Sequence, residues 1–216
     1  MKKEEAYKKL KEISKQACHE RHACADGYKQ MLASDNVSQM MATWRKNWDD
    51  IVNSKFADIA NNVIPALYPA LKAEMNAAGI YVNECPQTAP EFVLVVVTDH
   101  DSVVDIYDRA KCYVLGKAYV RAWGHSQVYS ERSEECLIQL YDRSYGHVSK
   151  GCVGASGRSR LWTSTGAVLN DSAKCEAHGG VIHADSYLKI EAYGDTIVFS
   201  KTDRNITLYG NACIVV

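Results

Sequence analysis

The sequence predicts an α+β chain, a helical N-terminal region followed by a β-solenoid (β-helix) of about seven to eight rungs of about 16 residues. Three observations carry this reading. Apolar residues recur at three- and four-residue steps as far as residue 83. From about residue 90 that period disappears, and Val, Ile, Tyr, Thr and Ser dominate between Gly and Asp turn signals. Across this β-rich half a single short pattern keeps returning. The expected division is a helical domain over 1–85 and a solenoid domain over 86–216.

In the helical half, Ala6, Leu10, Ile13 and Ala17 mark an amphipathic helix in a Lys/Glu-rich segment. Asp35 is the expected N-cap of a second one, with Val37, Met40, Met41, Trp44, Trp48, Ile51 and Val52 as its stripe. A third stretch carries Phe56, Ile59, Ala60, Val63 and Ile64. Pro65 and Pro69 are expected to break the chain beyond it into short helical pieces, and Gly79 to end the run.

In the β-rich half "DIYDRA", "RAWGHS", "QLYDRS", "EAHGGV", "EAYGDT" and "TLYGNA" align without gaps, with "RLWTST" a looser fit. Their ring positions are Tyr107, Trp123, Tyr141, Trp162, His178, Tyr193 and Tyr209, at spacings of 16, 18, 21, 16, 15 and 16. One coil of that length cannot bury its apolar face alone, whereas stacked coils share a core. Strand alternation points Val104, Ile106, Val120, Ala122, Ile138, Leu140, Ile190, Ala192, Ile206 and Leu208 inward, with Cys112 and Cys175 as small buried hydrophobes. The rings have the opposite parity and are expected outward, as one ladder along one face. Phe92 is placed to start a further, capping rung. "GCVGASGRSR" (151–160) lacks phosphate-loop spacing and is expected to be an irregular rung or loop.

The segments "YVRAWGHS", "KIEAYGDT" and "NITLYGNA" resemble uncharacterised proteins of gut bacteria and their phages, which carry x-V-x-A-Y-G-N-A octads after a short helical region. "AAGIYVNE" and "ACADGYKQML" are similar to that group as well. The resemblance spans about residues 23–216 and implies a phage or mobile-element context, in which small non-enzymatic inhibitors of host defence are common. It implies no catalytic residue and no cofactor.

Composition bounds the function. The net charge of −1 supplies no basic field and argues against nucleic acid. Eight cysteines without a CxxC pair read as reduced thiols. "MKKEEAYKKLKEISKQ" has no apolar signal-peptide core, and no run of about 18 apolar residues exists. The expectation is a cytoplasmic protein without a membrane span.

Candidate chemistry is sparse. In "CHERHAC" (18–24), Cys18, His19, His22 and Cys24 do not present four ligands on one helix face, so no metal is expected. Asp99, His100 and Asp101 alternate across a strand and cannot converge. His125 and His147 invite comparison with solenoid acyltransferases, but those repeat every six residues. The sharpest candidate is the outward ladder together with Arg109, Arg121, His125, Arg143 and Arg160 on the early rungs, and Glu176, Glu191 and Asp195 on the late ones. The expected function is a non-enzymatic protein–protein interaction module; the resemblance implies the more specific form, an anti-CRISPR-like inhibitor whose partner is a host defence nuclease complex. The helices are expected to cap the rod and contact the partner. The alternative is a solenoid that stacks a glycan or single-stranded nucleic acid on its rings; an acyltransferase ranks behind both. "LYGNAC" (208–213) reads as the corner of a final rung that meets another subunit or a partner.

Overall fold

The computed structural model describes residues 1–20, 25–47, 59–88, 93–99, 101–131, 133–185 and 188–216. The chain divides into two compact units, Met1–Val82 and Asn83–Val216.

The first unit holds four α-helices among the described residues: α1 (Lys3–Glu20), α2 (Ala25–Leu32), α3 (Val37–Lys46) and α4 (Ile64–Ala77), the last preceded by a π-helical turn, Ile59–Val63. It ends in the short strand β1 (Ile80–Val82). Helix α1 buries Ala6, Leu10, Ser14 and Ala17, so Ser14 takes the inward place expected of Ile13. The N-cap of α3 is Asn36, one residue later than expected. Its side-chain oxygen accepts from the Gln39 backbone N–H, while Gln39 Oε1 accepts at 2.7 Å from the N–H of Asp35, the residue before the cap. Val37, Met40, Met41 and Trp44 form the buried stripe; Trp48, Ile51, Val52, Phe56, Phe92 and His100 lie outside the described residues.

The prolines do not break α4. Pro65 sits in its first turn, directly after the π-helical turn, and the helix continues through Pro69. An interior proline costs about 3 kcal/mol. Burying Ile64, Leu67, Leu71 and Met75 returns about 1.5–3 kcal/mol per side chain, so burial wins. Gly79 ends the helix at φ 75°, with its amide on the Asn76 carbonyl.

The second unit is a parallel β-solenoid of about eight turns. Its first sheet stacks β2 (Leu94–Val97), β4 (Lys111–Val114), β6 (Gln127–Ser130), β8 (Tyr145–Val148), β10 (Arg160–Thr163), β12 (Lys174–Ala177), β14 (Lys189–Ala192) and β16 (Ile206–Leu208). The second stacks β3 (Val103–Ile106), β5 (Tyr119–Ala122), β7 (Leu137–Leu140), β9 (Cys152–Ala155), β11 (Ala167–Leu169), β13 (Val181–Ala184), β15 (Ile197–Ser200) and β17 (Cys213–Val215). The structural unit is therefore an octad: one four-residue strand and one corner, on alternating sheets. One full turn takes from 14 residues (Arg160 to Lys174) to 18 (Gln127 to Tyr145).

Each octad follows the same physical rule. Its second and fourth residues point inward, so Val104, Ile106, Val120, Ala122, Ile138, Leu140, Ile190 and Ala192 are buried, as the alternation predicts. Ile206 and Leu208 share that parity but are partly exposed in the last rung. In the corners after β3, β5, β7 and β9 the sixth residue takes positive φ, as Asp108, Gly124, Asp142 and Gly157. The eighth is small and buried: Ala110, Ser126, Ser144 and Ser159. Corners stack by backbone bonds, as in Arg143 N to Gly124 O (3.0 Å) and Arg158 N to Asp142 O (2.6 Å). Two aspartates add side-chain clamps between rungs: Asp142 accepts from Gly124 N and Asp171 from Gly157 N, both at 3.1 Å.

The Gly-rich stretch 151–160 is not an irregular rung. It forms β9 and an ordinary corner, with the Gln139 side-chain amide lying over Gly154.

Cys112 and Cys175 lie in this core as expected. Burial pushes the Cys112 thiol well above its ordinary pKa and the Cys175 thiol up to about 12. Cys152 and Cys213 are exposed. Iodoacetamide at pH 8 should therefore label Cys152 and Cys213 in the folded protein, and Cys112 and Cys175 only after denaturation. Peptide mass mapping checks this; native labelling of Cys175 would contradict the closed rung.

Candidate functional site

The seven ring positions do not form one ladder. Tyr107, Trp123 and Tyr141 directly follow β3, β5 and β7 and belong to the second sheet. Trp162 lies within β10, and His178, Tyr193 and Tyr209 directly follow β12, β14 and β16, all on the first sheet. The cause is the octad. Both sheets use the same alternation and corner chemistry, and β10, which holds Trp162, is three arms on from β7, which Tyr141 follows. An odd number of arms moves the chain to the other sheet.

On the second sheet, Trp123 stacks on Tyr141 with centroids 4.1 Å apart and planes 12° from parallel. Arg121 binds Asp105 with two bonds of 2.7 Å, and Trp123 Nε1 donates to the same carboxylate at 3.2 Å. The Arg121 guanidinium holds the Asp105 carboxyl below the usual carboxylate range, against the opposing effect of burial. The stabilisation from this pair is therefore present above the unfolded-chain carboxylate pKa and is lost as pH falls through the lowered one. Arg121 is thus committed to an ion pair, unlike Arg109, Arg143 and Arg160, for which no ion pair exists among the described residues.

The first sheet carries a longer column: Tyr113, Tyr129, His147, Trp162, His178, Tyr193 and Tyr209. Its tightest contact is His147 on Trp162, at 4.1 Å and 5°. The column shifts by two residues along the strand at one point: Trp162 is registered against Glu176, and its ring meets His178 instead. Tyr113, Tyr129 and His147 escape an alignment built on the corner motif, because they occupy the third octad position. Their own spacings of 16, 18 and 15 up to Trp162 carry the missed signal. Within each column ring faces are covered by the next ring, so edges and end faces are what a ligand meets.

The late acidic residues have local partners. Glu176 lies 2.7 Å from His178, Glu191 2.9 Å from Lys189, and Asp195 accepts from Asn211 at 3.2 Å. Asp99 is used as a turn acceptor for Lys117 N at 2.7 Å. His22 and Cys24 lie outside the described residues, and no group of three or more His, Cys, Asp and Glu gathers as a ligand set among the described ones.

A further surface was not legible in the repeat. On the late strands of the second sheet the outward positions are apolar: Val168 is 46 % exposed, Val181 39 %, Ile197 37 %, Phe199 39 % and Val215 46 %. Phe199 stacks on His183 at 5.1 Å. The early strands of the same sheet carry Asp105, Arg121 and Gln139 at the third octad position, beside Val103 (41 % exposed) and Leu137 (39 %) at the first.

Fold and surface together define a two-sheet parallel β-solenoid, preceded in the chain by a helical unit, whose second sheet exposes apolar residues most densely on its late strands. No family model, curated protein or solved structure matches this chain. No helix among the described residues is long and apolar enough to cross a membrane.

Proposed function

We propose that this chain is a non-enzymatic protein–protein interaction module of the phage or mobile-element type, an inhibitor of a host defence system that works in the cytoplasm. The observation that carries the interaction reading is the apolar outer face around Val168, Val181, Ile197 and Phe199. Such a contiguous patch on neighbouring strands costs free energy in water until a partner covers it. The Trp123–Tyr141 column on the same sheet adds the residue types that anchor interfaces. The inhibitor reading, with a host defence nuclease complex as partner, rests on the octad resemblance. The covered ring faces weigh against a glycan or nucleobase stacking between them. A second copy meeting the last rung belongs to the same proposal, supported by the exposure of Leu208 and Val215.

The test is affinity capture from the native host, with the partner named by mass spectrometry and its affinity remeasured with purified components. Val181→Ser/Phe199→Ser and Trp123→Ala/Tyr141→Ala should each weaken binding at least about 30-fold, the scale of a lost hot spot. Undiminished affinity in both variants removes the second sheet from the account.

A further inference from the structure

The corners that lead from the second sheet to the first hold a groove of about 820 Å³. Its principal lining is His125, Arg143, Tyr145, Arg158, Arg160 and Lys174. Two columns supply these side chains. The corner bonds His125 N to Asp108 O (2.8 Å), Arg143 N to Gly124 O and Arg158 N to Asp142 O stack His125, Arg143 and Arg158 as one column. The strand register Tyr145–Arg160–Lys174 stacks the other. Successive rungs lie about 4.8 Å apart, so four cations fall within about three rungs.

These cations are not used by the fold. Among the described residues Arg143, Arg158, Arg160 and Lys174 form no ion pair, whereas Arg121, Lys117, Lys150 and Lys189 each hold a carboxylate. A chain of net charge −1 has thus gathered unpaired guanidinium groups in one concavity, where their mutual repulsion falls when an anion enters. The Tyr145 hydroxyl adds a neutral hydrogen-bond donor to the same lining.

We propose that this groove binds an acidic, extended peptide segment, its carboxylates held by Arg143, Arg158, Arg160 and Lys174. The proposal shares with the proposed function only the premise that the ligand is a protein. An extended peptide presents same-side carboxylates about 6.6–6.8 Å apart, within reach of cations staggered over two columns, and each guanidinium can hold a carboxylate with two parallel bonds. A nucleic acid fits less well on two counts. Tight phosphate-driven binding uses about six to ten contacts, and the groove has four arginine and lysine side chains, bounded by Glu176 on the same strand as Lys174 and by Glu191 on the next rung. The adjacent rings His147 and Trp162 are stacked on each other and leave no platform between them for a base.

The test uses the full chain and a fluorescein-labelled decapeptide of alternating Glu and Ala, read by fluorescence anisotropy at 50 and 150 mM salt. Comparators are the Gln/Ala peptide and a labelled oligothymidylate of similar length. The expected result is salt-sensitive binding of the Glu/Ala peptide, at least tenfold tighter than the Gln/Ala one. Arg143→Gln/Arg158→Gln/Arg160→Gln should weaken it at least tenfold. Lys117→Gln/Lys150→Gln, on the opposite corners, should leave it within twofold. Circular dichroism melts verify that both variants fold. Binding of oligothymidylate in preference to the peptide overturns the proposal in favour of nucleic acid. Absence of both, or equal weakening by the two variants, overturns it outright. The host partner is not needed, so a failed capture experiment leaves this result standing, and a failed peptide titration leaves the capture result standing.

Discussion

Gly180→Ala is expected to destabilise the solenoid by about 3 kcal/mol, against about 1 kcal/mol for Gly194→Ala. Both glycines stand at positive φ, 77° and 62°, in corners after first-sheet strands, so both variants carry the left-handed penalty of an L side chain. They differ in what lies beneath. A Cβ on Gly180 would meet the Thr165 carbonyl carbon at 2.6 Å and the Gly166 nitrogen at 2.8 Å, and neither backbone atom can turn away as a side chain would. A Cβ on Gly194 meets nothing within 4 Å. The difference therefore reports how closely successive corners stack. Urea unfolding, with the midpoint shifted and the slope unchanged, measures it. Equal losses for the two variants would mean that the corners are not stacked at this distance.

Ile138→Ala is expected to cost about 3 kcal/mol and Ile138→Val about 1 kcal/mol. Ile138 is fully buried and registered between Val120 and Val153 in the middle of the second sheet. In a stack whose stability comes from contacts between neighbouring rungs, a cavity there weakens the interfaces on both sides. Ile214 has the same parity but sits in the last rung, with Val198 as its one registered neighbour, and is only half-buried. Ile214→Ala should therefore cost under about 1 kcal/mol. A loss at Ile214 equal to that at Ile138 would show that the last rung is covered in solution, which is the result a second copy at that rung would produce. Light scattering on the same samples separates that outcome from a monomer.

How far these surfaces are legible from the residues alone depends on the kind of signal each one leaves. The inward residues are legible because strand alternation is local: Val104 and Ile106 flank Asp105 whatever surrounds them. The corners are legible for the same reason, since a residue of positive φ must be Gly, Asp or Asn here. The prolines mislead. Pro69 breaks a helix only if nothing offsets its cost, and the offset comes from residues such as Leu71 and Met75 finding a buried place. The sharpest failure is the single ladder. Tyr141, in the corner after β7, and Trp162, within β10, share the outward parity of the octad, and only the count of arms from one to the other says that they face different sheets. The groove is half visible. Arg143 and Arg160 stand out beside the ring motif, but Arg158 and Lys174 join them only through the register of the stack.

The sequence by itself determined the helical and repetitive halves, the alternation of each octad and the chemistry of its corners. These rest on neighbours within eight residues, where covalent geometry and side-chain parity decide. The tertiary structure alone decided which octads share a sheet, which rings stack, where the apolar face lies and which cations converge. Those depend on contacts 14 to 18 residues apart. Insertions of one or two residues at a corner leave the local pattern intact while changing every partner across the rungs.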